Sequence, residues 1–216
     1  PGSLGTDDRP PVSAVDRLSV VPMRILISGF TEFGDNKVNP SRLLAEQVNA
    51  CSGHEVDWFG ADVRGVVLPV EFEAGFQRLR DEIGLFRPDA VLSFGLAASR
   101  QTIDLERFAL NWRESSSMGS SVAAGELLPG CPLALPSTLP IEGILDRAKG
   151  ASLPMGSSHS AGTYVCNDVF YRMQQHFLRS RVRSGFIHVP PVSADCTLDQ
   201  FVQFTSLAIG VLVRGR

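Results

Sequence analysis

The chain has 216 residues, of which 44% are hydrophobic and 20% charged, with a formal net charge of −3. That balance suits one globular core and lacks the basic patch of a nucleic-acid binder. No apolar stretch approaches the roughly 18 residues of a membrane span.

Residues 1–22 are rich in Pro, Ser and Asp and show no sustained period, so they read as a flexible N-terminal extension. Pro1-Gly2-Ser3 has the look of an expression scar, and Met23 of a natural start. The expected catalytic domain is 23–216. Its first element is RILISGF (24–30), a short apolar run ending in glycine, which suits a buried strand. Asn39-Pro40-Ser41 then opens a helix, with Asn39 as cap, Pro40 at the first helical position, and Leu43, Leu44 and Val48 on the apolar side.

VRGVVLPV (63–70) reads as a second strand, and Phe72, Phe76, Leu79, Ile83 and Phe86 give a helix over 71–86. Arg87-Pro88 ends that helix, and AVLSFGL (90–96) is a third strand. ERFALNW (106–112) reads as one further strand, followed by a long Ser/Gly/Pro loop from Glu114 to Ser137. A short helix over 141–148 comes next, then a helix around Cys166, the strand GFIHVP (185–190), and a last helix over 197–213. Strands alternating with helices predict an α/β fold: a single-domain α/β/α sandwich around an open, mostly parallel twisted sheet. In such sheets chemistry gathers at the carboxyl ends of the strands.

The four cysteines form no CxxC pair and have no metal-ligand spacing to His54, His159, His176 or His188. No metal is expected. Neither a disulfide-dense small scaffold nor a secretion signal is apparent, which favours reduced thiols in the cytoplasm. Cys166 stands out because it falls in the first turn of its helix, where free N–H groups and the dipole favour a thiolate. The plainer reading is a small core residue. His188 lies where a strand delivers it to the rim, so a cysteine–histidine pair becomes possible: the imidazole takes the thiol proton and returns it to a leaving amine. A local backbone partner is the plainer account of His188. A third group should orient the imidazole. Pattern alone does not select among Glu106, Asp104, Asp168 and Asp195. Gly29 and Gly34 have the GxxxxG spacing of a phosphate loop, but Asp35 and Asn36 stand where lysine and a hydroxyl residue are required.

GFTEFGDNKVNPS (29–41), LPVEF (68–72), GLAASRQTIDLERFALN (95–111), LPIEGIL (139–145), SAGTYVCNDVFY (160–171) and SGFIHVP (184–190) resemble, in order, the motifs of pyroglutamyl peptidase I. This is a family of cysteine peptidases, and the resemblance spans about Met23 to Val213. It implies an open α/β/α sandwich and removal of an N-terminal pyroglutamyl residue from peptides, without metal or cofactor. It implies Cys166, His188 and Glu106 as the catalytic set. Phe30 and Phe33 would hold the faces of the lactam ring, with Tyr164, Val165 and Leu96 nearby. Relatives form dimers or tetramers, so a homodimer or homotetramer is expected, with no nucleic-acid or membrane partner.

Some positions depart from the family. Glu32 replaces a proline, Asp35 a glycine, and Ala98-Ser99-Arg100 stands for a more glycine-rich tripeptide. After Asn111 the family's Arg-Ile-Pro-Asp-Asn-x-Gly stretch, part of the substrate site, gives way to WRESSSMGSSVAAG. Three activities stay open on this ground: the family reaction, a cysteine hydrolase of altered acyl specificity, and a binding homologue with weak turnover.

Overall fold

A computed structural model describes residues 21–51, 56–114, 123–151, 153–193 and 195–215. The extension expected over 1–22 lies almost wholly outside them. In chain order the elements are β1 (Arg24–Phe30), α1 (Pro40–Ala50), β2 (Asp62–Leu68), α2 (Ala74–Phe86), β3 (Ala90–Leu96), β4 (Ile103–Glu106), β5 (Phe108–Leu110), β6 (Ala134–Pro136), α3 (Ile141–Ala148), β7 (Met155–Ser158), α4 (Val165–Phe177), β8 (Arg183–Val189) and α5 (Leu198–Arg214).

One six-stranded sheet has the order β2-β1-β3-β8-β4-β7. Its first three neighbouring pairs are parallel, β4 meets β8 antiparallel, and β7 follows β4 parallel. β4 and β7 therefore run against the other strands, and the sheet is mostly parallel. β3 is buried at every position, as a central strand covered on both faces must be, whereas the edge strand β2 alternates. Alternate residues feed two cores. Ile25, Ile27, Leu92 and Phe94 pack under α1, α3 and α5 through Leu44, Ile144, Phe201 and Phe204. Leu26, Val91 and Phe186 pack under α2 and α4 through Leu79, Phe86, Val169 and Phe170. This period-2 division makes the layers of an α/β/α sandwich. Among the described residues no helix is long and apolar enough to cross a membrane.

Three sequence expectations are corrected. The strand expected over 106–112 is two strands: β4 ends in the main sheet at Glu106, and β5 pairs with β6 in a separate two-stranded ribbon. The stretch read as a loop up to Ser137 therefore contains β6, and β7 went unseen because its sequence, MGSS, has neither apolar alternation nor bulk. Finally, α2 starts at Ala74 instead of Glu71. Glu73 takes a left-handed φ of 64° as its cap, and its backbone N–H donates to Asp168 Oδ2 at 2.9 Å.

Candidate active site

The site begins where β1 meets α1. A Cβ on Gly29 would lie 1.8 Å from the Ser41 carbonyl oxygen, so only glycine lets the helix start rest on the strand end. Asn39 accepts from the Ser41 N–H at 3.1 Å and donates to the Thr31 carbonyl at 2.9 Å, and the Ser41 hydroxyl accepts from the Phe30 N–H at 3.0 Å. The cap thereby fixes the backbone that carries Phe30 and Phe33. Glu32, in place of the family's proline, forms an ion pair with Arg42 at 2.8 Å.

Cys166 is the second residue of α4, so its backbone N–H has no intrahelical acceptor. The next residue ties the helix down. Asn167 accepts from the Leu110 N–H at 2.8 Å and donates to the carbonyls of Leu110 and Trp112 at 2.8 and 2.9 Å, standing in for a missing strand beside β5. Beneath Cys166 lies β3. A Cβ on Gly95 would fall 2.9 Å from the Cys166 Sγ and 2.8 Å from the Phe186 ring, so glycine makes room for the sulfur.

His188, near the end of β8, is 5% exposed, and Glu106 is 0% exposed. The His188 Nδ1 lies 2.7 Å from the Glu106 Oε1. Glu106 reaches it from an antiparallel neighbour, with Asp104 and Leu105 in register with His188 and Ile187. Burial lowers the His188 pKa, but hydrogen bonds to Cys166 and Glu106, and their charges, outweigh it and push the value up to about 9. Burial raises Glu106, but the hydrogen bond and charge of His188, together with Ser158 and the charge of Arg100, more than reverse this and leave the carboxyl below its ordinary range. The geometry thus favours an imidazolium held beside the Glu106 carboxylate.

A raised histidine pKa stabilises the fold fully below its ordinary value and loses that contribution as pH climbs through the folded value. We therefore expect urea midpoints to fall from pH about 6.5 to about 9 and to level off above that, and to fall less in Glu106→Gln. A midpoint that held constant over this range in the wild type would contradict a charged His188.

Of the other carboxylates open in the sequence, Asp104 is ion-paired to Arg100 at 2.8 Å and Asp168 to Arg172 at 2.7 Å, where it also caps α2. Asp195 is exposed in the turn before α5. None of the three is hydrogen-bonded to His188.

Cys166 and His188 open into a cavity of about 430 Å³. All five residues expected at the ring, Phe30, Phe33, Leu96, Tyr164 and Val165, line it. Val70 and Phe72 also line it and were not singled out, although LPVEF, the segment that holds them, was among the matching motifs. They had been read as the end of a strand and the start of a helix; in fact they form the link between β2 and α2. Asn39, foreseen only as a cap, lines the cavity too. Of the altered wall after Asn111, residues 115–122 lie outside the described residues. Its base is described: Arg113 and Gly125 pair, and the Glu114 N–H donates to the Thr163 carbonyl.

The sequence model of the pyroglutamyl peptidase family matches residues 23–215. The chain belongs to this family. It is 33% identical over 208 residues to the pyrrolidone-carboxylate peptidase of Coprothermobacter proteolyticus, covering 89% of this chain and 98% of that one. With its counterpart from Vibrio vulnificus it shares 34% over 170 residues, 77% of this chain and 78% of that one. Among solved structures, pyroglutamyl peptidase I from Bacillus amyloliquefaciens superposes with a TM-score of 0.78 at 28% identity, covering 88% of this chain and 95% of that one. The pyrrolidone carboxyl peptidase of Thermococcus litoralis does so with a TM-score of 0.80 at 26% identity, covering 90% and 96%. The expected α/β architecture is thus that of pyroglutamyl peptidases.

Proposed function

We infer that this chain is a cysteine exopeptidase that removes an N-terminal pyroglutamyl residue from peptides, with Cys166, His188 and Glu106 as its catalytic set. The observation that carries this reading is a buried histidine bridging a helix-start cysteine and a buried glutamate at the mouth of an apolar cavity. The Cys166 thiolate attacks the pyroglutamyl carbonyl. His188 gives its proton to the leaving amine as the C–N bond breaks, leaving a thioester on sulfur. Neutral His188 then takes a proton from water, whose oxygen attacks the thioester, and the free acid departs as Sγ and His188 return to the ion pair. Glu106 keeps the Nδ1–H of His188 oriented throughout. The backbone N–H of Cys166 is the oxyanion donor.

The lactam is neutral and flat, and its faces suit Phe30 and Phe33. A prolyl residue of the same size carries an ammonium, which Phe30, Phe33, Phe72, Leu96 and Val165 do not compensate and which Glu71, a lining residue exposed to solvent, screens only weakly. Burying that charge costs several kcal/mol. A fluorogenic pyroglutamyl amide is therefore cleaved at least about 10³-fold faster than the matching prolyl amide. Comparable rates on the two would overturn the assignment. Of the activities left open by the altered stretch after Asn111, membership over 23–215 favours the family reaction.

Residues 23–216 act as one catalytic domain behind the N-terminal extension. Four cysteines without a disulfide fit the reducing cytoplasm. Phe108, 41% exposed, and Leu133, 77% exposed, give the β5–β6 ribbon apolar surface that suits a homodimer or homotetramer.

A further inference from the structure

Arg100 lies in the turn between β3 and β4, and its side chain is held at several points. Nη1 is 2.8 Å from Asp104 Oδ2, and Nη2 donates to the Ser158 hydroxyl on β7 at 3.2 Å. The same Nη2 is 2.7 Å from Glu106 Oε1, the oxygen that also meets His188. Glu106 Oε2 is buried with no hydrogen-bond partner among the described residues. Two cationic groups thus converge on one oxygen of a fully buried carboxylate.

The need for both changes during the reaction. While His188 is charged, it alone balances Glu106. Once His188 has passed its proton to the leaving amine, the carboxylate faces a neutral ring, and burial favours drawing a proton back. A glutamate–histidine pair that holds a proton tightly leaves the imidazole unable to accept one from water. Arginine stays charged at every step. We propose that Arg100 is a positioning residue for thioester hydrolysis, keeping Glu106 ionised while His188 is neutral so that the imidazole is free to act as base. The proposal rests on the catalytic assignment above. The groups that bear on Glu106 are His188 from β8, with Cys166 of α4 behind it, Arg100 from the turn and Ser158 from β7. Asp104, on β4 itself, faces Arg100.

The test uses the p-nitrophenyl ester of pyroglutamate, whose leaving group needs no proton, so that thioester hydrolysis limits kcat. In Arg100→Gln, kcat on the ester falls about tenfold or more, while kcat/KM, set by attack on the ester, changes little. The acid limb of kcat moves up by about one pH unit, because the pair keeps its proton to higher pH. Arg100→Lys, which keeps the charge, restores most of kcat and the wild-type limb. A folded Arg100→Gln that loses kcat and kcat/KM equally, with its acid limb unmoved, would show a merely structural arginine. So would Arg100→Lys failing as badly as Arg100→Gln. If Arg100→Gln does not fold, Ser158→Ala loosens the guanidinium without changing any charge and should shift the limb in the same direction by less; an unmoved limb there counts against the proposal. Cleavage of the pyroglutamyl amide by the wild type separates the two levels. A wild type inert on amide and ester overturns the activity itself.

Discussion

Cys166→Ala folds like the wild type and turns over a pyroglutamyl amide about 10⁵-fold more slowly. Among the described residues that line the cavity Cys166 carries the one thiol, and residues acting as one catalytic unit fail together when the nucleophile is lost. The fold tolerates the change because Gly95 has already cleared the space below Sγ, so alanine meets no clash. Loss of the thiolate also removes one of the two groups that raise His188, so the alkaline fall in stability weakens. Initial rates, thermal melts and titration with a pyroglutamyl peptide check this: rate collapses while folding and binding persist. A variant keeping more than about a hundredth of the wild-type rate removes Cys166 from the chemistry.

Glu106→Gln is the second large effect, with kcat/KM lower by about 10³- to 10⁴-fold at neutral pH. The amide is nearly isosteric, yet it no longer supplies a negative charge to the imidazolium. It can also present its NH₂ to Nδ1 and favour the wrong tautomer. His188, pushed up to about 9 partly by this carboxylate, titrates lower in the variant, so the alkaline limb of activity moves down. The variant also takes from Arg100 its charged partner at Glu106, leaving it Asp104 and the Ser158 hydroxyl, which costs about 1–3 kcal/mol of stability beside so buried a carboxyl. Rate–pH profiles beside urea melts separate these effects. A limb that stays in place would mean that Glu106 does not hold the imidazolium.

Much of this was legible in the residues themselves. RILISGF, AVLSFGL and GFIHVP are mostly apolar, broken by Arg24, Ser28, Ser93 and His188, because central strands are covered on both faces. Asn39-Pro40-Ser41 announces α1 because capping chemistry is local. Cys166 and His188 were visible for the same reason, one at a helix start and one at a strand end. Glu106 was not separable from Asp104, Asp168 and Asp195 by pattern, and only the family motif pointed to it. What brings Glu106 to His188 is the antiparallel register of a four-residue strand, a long-range pairing with no trace in nearby residues. The break after Glu106, which sends β5 to a second sheet, was hidden by an alternation that runs straight through it. Arg100 escaped notice because an arginine in a turn is ordinarily a solvated charge.

The strand that carries His188 enters between β3 and β4, both made long before it, and the Glu106–His188 contact spans 82 residues of chain. During synthesis the cysteine and the glutamate leave the ribosome ahead of their histidine. The central gap of the sheet stays open until the penultimate element fills it, a late and entropically costly closure. A chain that has not yet placed β8 therefore holds Cys166 without the imidazole proposed to serve it. Under the proposed assignment, completion of the sheet and completion of the catalytic set are one event, so an unfinished copy has no proteolytic activity to restrain.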